Sequence, residues 1–273
     1  MPAALAQTSA PSRHHTLTLG MAQLAMRGLA EDWWLKYLGD VHWQLIAEAV
    51  GQQTTVFRDA KGRQLYAAFC ASEFSQIQPD LIGLGHSLEI ISTLWAAGRS
   101  RIQSDHCILA RGQEIARIRL VSTFVAHMEA GVNASVSRAT PFLVPVLDQA
   151  PDSFAHDTSQ LAKAHRNSAL SETRGLDLPT HVGMDYNTVG LLYFPSFSRL
   201  FEQAEAALHK PAPWAPIARR LVLYFGNVEP GESVTADALP VRPGCLGLWK
   251  QATASQRATK LAQCWVSRHC PPD

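Results

Sequence analysis

The stretch from Gly183 to Glu205 constrains the rest of the chain most. Its head carries Gly183, Asp185, Asn187 and Gly190. Such residues build tight turns, because glycine reaches positive φ and short polar side chains bond their own backbone. Its body is apolar at helical spacing. Leu192, Tyr193, Phe197, Leu200, Phe201, Ala204 and Leu208 recur at intervals of one, three or four. A stripe this wide and aromatic has to be covered. The pattern predicts a long buried helix from about Gly190 to His209, with Pro195 in its first turn, where a missing N–H costs little.

An earlier stretch repeats the plan. Gly20-Met21 answers Gly183-Met184, and a second helix is predicted over Glu31 to Val50, stopped by Gly51. Glu31 and Asp32 sit in its first turn, where carboxylates suit the positive end of the helix dipole. Gly39 and Asp40 interrupt it, which reads either as a contact or as a solvent-facing break. Arg63-Gln-Leu-Tyr-Ala-Ala-Phe69 then parallels Arg219-Arg-Leu-Val-Leu-Tyr-Phe225, which sets Tyr66 against Val222. Two copies of one helix-then-strands unit are expected.

Strands are predicted over Leu65 to Phe69, Gly85 to Leu94, Asp105 to Ala110 and Glu114 to Phe124. The last two form a hairpin turning at Arg111-Gly-Gln113, with Arg117 and Arg119 on one face and Ile118 and Leu120 on the other. Residues 128–177 hold Pro141, Pro145 and Pro151 and read as a connection, with a short helix near Ser159 to Ala169. The second unit supplies strands at Leu221 to Phe225, Ser233 to Leu239, Cys245 to Ala252 and Ala258 to Ser267, with a turn at Ser255-Gln256. The division expected is a disordered tail over 1–16, a first unit over 17–127, the connection over 128–177 and a second unit over 178–273. Cys270 to Asp273 is expected to fray.

Composition narrows the function classes. The chain is 47% apolar with a net charge of +1, which gives no basic footprint for nucleic acid. No apolar run reaches the roughly 18 residues of a membrane span. The N-terminus lacks the pattern of a signal peptide, so a cytoplasmic location and reduced thiols are expected for the five cysteines. Cys264, His269 and Cys270 match no standard zinc spacing, and no metal is expected. Asn133-Ala-Ser135 fits a glycosylation pattern that an intracellular chain would not use. GxSxG, HExxH and P-loop motifs are missing, and Gly83-Leu-Gly85 lacks the third glycine of a dinucleotide fingerprint. A monomer and a homodimer are both compatible with the sequence.

Asp185, Asn187, Val189 and Tyr193 resemble the Asp-x-Asn-x-x-x-x-x-Tyr loop of hotdog-fold acyl-thioester enzymes. Thr188 and Gly190 stand where hydrolytic members carry His and Asn, so the resemblance favours thioester binding over hydrolysis. Together with Gly28-Leu-Ala-Glu-Asp-Trp-Trp-Leu-Lys-Tyr-Leu-Gly-Asp-Val-His-Trp43, Arg63 to Phe69 and Asp185 to Phe194, the chain from Leu19 to His269 resembles the leinamycin-type acyltransferase/decarboxylase family. That resemblance implies an α+β double hotdog, two long helices each wrapped by a curved antiparallel sheet. It implies use of methylmalonyl-CoA, transfer to an acyl carrier protein with decarboxylation to a propionyl thioester, and a tyrosine nucleophile, Tyr66. No cofactor is implied beyond the coenzyme A thioester, which is substrate.

A free tyrosine has a pKa of about 10, so Tyr66 needs a cation or hydrogen-bond donors nearby. Arg63, Arg99, Arg101, His42 and His86 are candidates, while the plain alternative is a strand tyrosine packing its ring. His42, His86, Ser87, Asp185, Asn187 and Gly190 are the expected substrate-binding residues. An oxyanion site of backbone N–H groups is expected near Gly190 or over Gly28 to Asp32. Asp185 reads equally as a base and as a cap. Arg99, Arg101, Arg117 and Arg119 are expected to meet a CoA phosphate or an acidic carrier protein. Two other readings stay open: a hotdog thioesterase or dehydratase-like enzyme with Asp185 as base, and a non-catalytic carrier-protein-binding hotdog.

Overall fold

The computed structural model describes residues 10–168, 175–212, 215–239, 243–251 and 258–270. In chain order the elements are β1 (Ser12–Thr18), α1 (Glu31–Ala49), β2 (Phe57–Arg58), β3 (Gln64–Gln76), β4 (Ser87–Ala96), β5 (Ile102–Ala110), β6 (Gln113–His127) and β7 (Val136–Arg138). Then follow α2 (Phe154–His165), β8 (Leu176–Leu178), α3 (Val182–Asp185), α4 (Phe194–Leu208), β9 (Ile217–Tyr224), β10 (Val234–Ala238), β11 (Cys245–Lys250) and β12 (Thr259–Arg268). One antiparallel sheet runs β1-β4-β5-β6-β3-β9-β12-β11-β10-β8, with β2 on β3 and β7 on β6. The two halves join where β3 pairs β9, from Ala71 opposite Leu223 to Ser75 opposite Arg219.

Both predicted helices form and lie on the same face of this sheet. Trp34, Leu35, Leu38, Leu45 and Ile46 of α1 are fully buried against Leu88, Ile90, Leu94, Ile118 and Leu120. Leu200, Phe201 and Ala204 of α4 pack on Val222, Leu246, Leu248 and Ala262. Each such leucine contributes about 1.5–3 kcal/mol by leaving water. Gly51 ends α1 at φ 69°, and Pro195 occupies the first turn of α4. Gly39 is a contact: a Cβ there would stand 2.9 Å from the Phe194 ring, so glycine lets the start of α4 press onto α1. The β5–β6 hairpin turns on Arg111 (φ 52°) and Gly112 (φ 74°), a two-residue turn whose positive φ values match the strand twist.

Several boundaries differ from expectation. The tail expected to be unstructured through Thr16 forms β1 from Ser12, which pairs Ser12 to Thr18 with Thr93 to Ser87 of β4. Edge pairing gives its backbone groups partners that a free tail lacks. β3 extends to Gln76, because its polar second half (Ser72, Glu73, Gln76) is buried between β6 and β9. The connection's helix starts earlier, at Phe154, whose ring packs with Ala155 on the outer sheet face against Val121, Leu221 and Leu223. Val222 is not the counterpart of Tyr66. Val222 faces α4, whereas Tyr66 alternates with core-facing Leu65 and lies on the outer face. The Ser255-Gln256 turn, the first nine residues and the last three lie outside the described residues. No helix among the described residues is long and apolar enough to cross a membrane.

Candidate functional site

The strand pairing that joins the halves is short, and β3 outruns it. From Tyr66 to Cys70, β3 has no partner on the β9 side among the described residues. On its other side Tyr66 stands opposite Val125 of β6, and Val125 stands opposite Arg138 of β7. Residues opposite one another share a face, so Tyr66, Val125 and Arg138 form one row across the outer surface. The Tyr66 ring meets His127 edge-on, with centroids 5.8 Å apart. His127 Nε2 lies 3.0 Å from Asn133 Oδ1. Asn133 Nδ2 donates to Gly190 O (2.7 Å) and Val228 O (2.8 Å). With the amide nitrogen so committed, Oδ1 accepts from His127 Nε2, and the network assigns Nδ1 as the open acceptor. Tyr66 is thereby linked through two side chains to the turn that introduces α4.

That turn is self-contained. Asn187 Oδ1 accepts from Val189 N (3.1 Å) and Leu191 N (3.0 Å), and Gly190 takes φ 80° while its N–H donates to Asn187 O. Asp185 is 1% exposed, accepts from His181 N (2.8 Å) and is gripped by both Arg199 Nε (2.9 Å) and Nη2 (2.7 Å). This is capping plus a buried ion pair, so Asp185 and Asn187 shape the turn instead of reaching a substrate. Several of the backbone N–H groups expected to form an oxyanion site are also taken. Leu192 N donates to Asn227 Oδ1, Tyr193 N to Asp185 O, Leu29 N to Gln76 Oε1 and Ala30 N to Gln23 O. Tyr193 is pushed up to about 12, by burial first and then by the charges of Asp40 and Asp32.

The pair suggests a direct check. Asp185→Asn is expected to cost about 1–3 kcal/mol, because one partner of a mostly buried charge pair is removed. Urea unfolding measures it. An unchanged midpoint with lost activity per folded molecule would return Asp185 to the chemistry.

Other expected residues fall elsewhere. His42 is fully buried, its two ring nitrogens each 2.7 Å from Ser104 Oγ and Ser122 Oγ, and burial lowers its pKa to about 3. It lies between α1 and the sheet, inside the core. His86 sits in an exposed turn and Ser87 begins β4 opposite Thr18, at the end of the sheet away from Tyr66. Arg117 is held by Glu114 at 2.7 Å, and Arg119 by Glu73 (2.6 Å) and Asp152 (2.9 Å) under the Phe154 ring. Neutralised in this way, neither is free for a phosphate or a carrier protein. Arg63 pairs with Asp59 (2.7 Å). Arg99 is exposed in the β4–β5 turn, and Arg101 stands at the head of β5 on the outer face.

A cavity of about 450 Å³ lies at the far end of the join, lined by Leu29, Glu31, Ser198, Glu202, Arg220 and Arg268 among others. Local geometry makes it the counterpart of the Tyr66 end. Ala30 and Tyr193 are the two N-caps, and each donates its N–H back to the preceding turn. Glu31 therefore corresponds to Phe194. Glu31 pairs with buried Arg220, and Phe194 stacks on Phe69 at 4.1 Å. Burial raises the Glu31 carboxyl, and the Arg220 charge opposes it. Each guanidinium lining this cavity already holds a carboxylate: Arg27 with Asp80, Arg199 with Asp185, Arg220 with Glu31, and Arg268 with Glu205. The cavity has no spare charge to offer an anionic substrate.

His127, Asn133, Arg138 and Arg166 were not identified from sequence. One signal was present: the two-residue alternation that sets Arg117 and Arg119 on one face reaches His127 when continued past Phe124.

No family model matches the chain, and no curated protein matches it by sequence. Solved structures do match its shape. An acyl-ACP thioesterase from Bacteroides thetaiotaomicron aligns at TM-score 0.63 and 9% identity over 95% of this chain and 98% of that one. A 12:0-ACP thioesterase from Umbellularia californica aligns at 0.62 and 9%, over 94% of each. A MaoC-like dehydratase from Phytophthora capsici aligns at 0.50 and 11%, over 94% and 95%. The chain shares their α+β double hotdog fold.

Proposed function

We propose that this chain is an acyl-thioester enzyme that decarboxylates a methylmalonyl-CoA-type substrate and passes the acyl group to an acyl carrier protein, with Tyr66 as nucleophile. The observation carrying this reading is the position of Tyr66. It lies on the stretch of β3 that β6 pairs and β9 does not, against His127, and is tied through Asn133 to the Gly190 turn of the other half. Hotdog thioesterases and a dehydratase among the structural neighbours support acyl-thioester chemistry as its class.

The steps balance without redox change. His127 Nδ1 takes the phenol proton, and the phenolate attacks the thioester carbonyl. The C–S bond breaks and CoA leaves as thiolate. The C–COO⁻ bond breaks, CO2 departs, and the electron pair forms an enolate that water protonates. The carrier thiolate attacks the aryl ester and phenolate leaves. A cation on the same sheet face, Arg138, stabilises negative charge as it develops. Hydrolysis through Asp185 is the weaker reading, since both carboxylate oxygens are already bonded to Arg199.

The test is incubation with methylmalonyl-CoA and a phosphopantetheinylated carrier protein. CO2 release with a propionyl group on the carrier is expected. Free methylmalonate would instead make the chain a thioesterase, and absence of turnover would sink both.

A further inference from the structure

We propose that Arg101, Arg138 and Arg166 form an oxyanion site beside Tyr66 that receives the free carboxylate of a dicarboxylic acyl thioester. This rests on the reading of Tyr66 as the acyl acceptor.

The three arginines come from three separate segments. Register places two of them. Ile102 stands opposite Ser122, so Arg101 precedes it level with Thr123, on the outer face, and Thr123 stands opposite Ala68. Arg138 stands opposite Val125, and Val125 opposite Tyr66. The two guanidinium groups therefore rise from adjacent rows on one side of β6, with Tyr66 and Ala68 on the other. Arg166 follows the end of α2 and lies over the Phe225 ring, 5.2 Å from its centroid, donating to Phe225 O. That end of α2 is anchored by Lys260 Nζ, which donates to His165 O at 3.1 Å. Cys70 of β3 and Phe225 pack against the same outer-face cluster, which brings Arg166 to this part of the sheet. Burial raises the Cys70 thiol, and the charges of Arg101, Arg138 and Arg166 oppose that rise.

Charge compensation separates this cluster from six other arginines. Arg117, Arg119, Arg199, Arg219, Arg220 and Arg268 each hold a carboxylate. No carboxylate among the described residues lies within ion-pair distance of Arg101, Arg138 or Arg166. Uncompensated guanidinium groups recognise carboxylate and phosphate oxygens through paired N–H donors. Position selects between these two sources. Arg138 is level with Tyr66, and in a malonyl-type thioester the carboxylate is one carbon from the carbonyl that Tyr66 attacks. The phosphates of CoA lie at the far end of the pantetheine arm.

Binding in a Tyr66→Phe background tests this without turnover, using calorimetry with methylmalonyl-CoA and with propionyl-CoA, which shares the phosphates and lacks the carboxylate. Arg138→Gln and Arg101→Gln are expected to weaken methylmalonyl-CoA by about 10- to 100-fold, the range for a charged hydrogen bond, and to leave propionyl-CoA nearly unchanged. A parallel loss for both ligands assigns the arginines to the phosphates and overturns the proposal, as does no loss at all. The two claims separate cleanly. Carboxylate-dependent binding without turnover in the Tyr66 protein keeps the site and removes the nucleophile. Turnover without arginine-dependent discrimination does the reverse.

Discussion

Tyr66→Phe is expected to abolish acyl transfer, by about a thousandfold or more, because a covalent route has no substitute for its nucleophile. The fold should hardly notice. The Tyr66 hydroxyl has no hydrogen-bond partner among the described residues, and its ring contact with His127 survives in phenylalanine. The stability change should stay within about 1 kcal/mol. Two measurements go together: propionyl transfer to the carrier protein, and intact mass of the wild type given methylmalonyl-CoA without carrier. The wild type should accumulate an acyl adduct, and the variant should not. His127→Phe should slow adduct formation by about a hundredfold, the worth of a positioned base. If Tyr66→Phe keeps most of the wild-type rate, the nucleophile lies elsewhere.

The fold was legible where one period dominated. The apolar stripes of α1 and α4 set both helices within a few residues, and alternation with the Arg111-Gly112 turn set the β5–β6 hairpin. It was least legible where burial comes from tertiary partners. Ser72, Glu73 and Gln76 read as polar and end a predicted strand, yet β6 and β9 bury them. β1 carries Arg13, His14 and His15, and only its pairing with β4 makes it a strand.

The site divides the same way. Tyr66, Arg101 and Gly190 were named from sequence, and the structure brings them to one end of the β3–β9 join. His42 and Asp185 were misplaced for a common reason. Polar residues at the start of a helix or on its buried stripe look chemical in sequence, while their partners, Ser104 and Ser122 for one and Arg199 for the other, are distant in sequence. Arg117 and Arg119 stand on the expected face, but Glu114, Glu73 and Asp152 neutralise them. Charge on a strand face predicts a docking surface only when its partners are known.

Those buried histidines should make the protein acid-sensitive well above the carboxylate range. Ser92, His106, Ser104, His42 and Ser122 form one fully buried chain of hydrogen bonds between β4, β5, β6 and α1, with links of 2.7 to 2.9 Å. Serine hydroxyls rotate to serve neutral imidazoles as donor or acceptor. A protonated ring would be a buried cation without a carboxylate in the chain. Burial holds both His42 and His106 at about 3, against an ordinary 6.5, with His42 and His15 adding their charges at His106. Between these values the unfolded chain binds protons that the folded chain refuses. The stability contributed is therefore complete above about pH 6.5 and is lost as pH falls toward 3. With two such groups the slope approaches about 2.7 kcal/mol per pH unit by pH 5. Carboxylates held low by arginine, such as Glu114 beside Arg117, add their own loss only at lower pH. Urea unfolding at pH 7, 6 and 5 measures the slope, and His42→Gln should be less stable at pH 7 yet lose stability about half as steeply. Equal slopes in wild type and variant would mean that His42 is not the neutral buried group described.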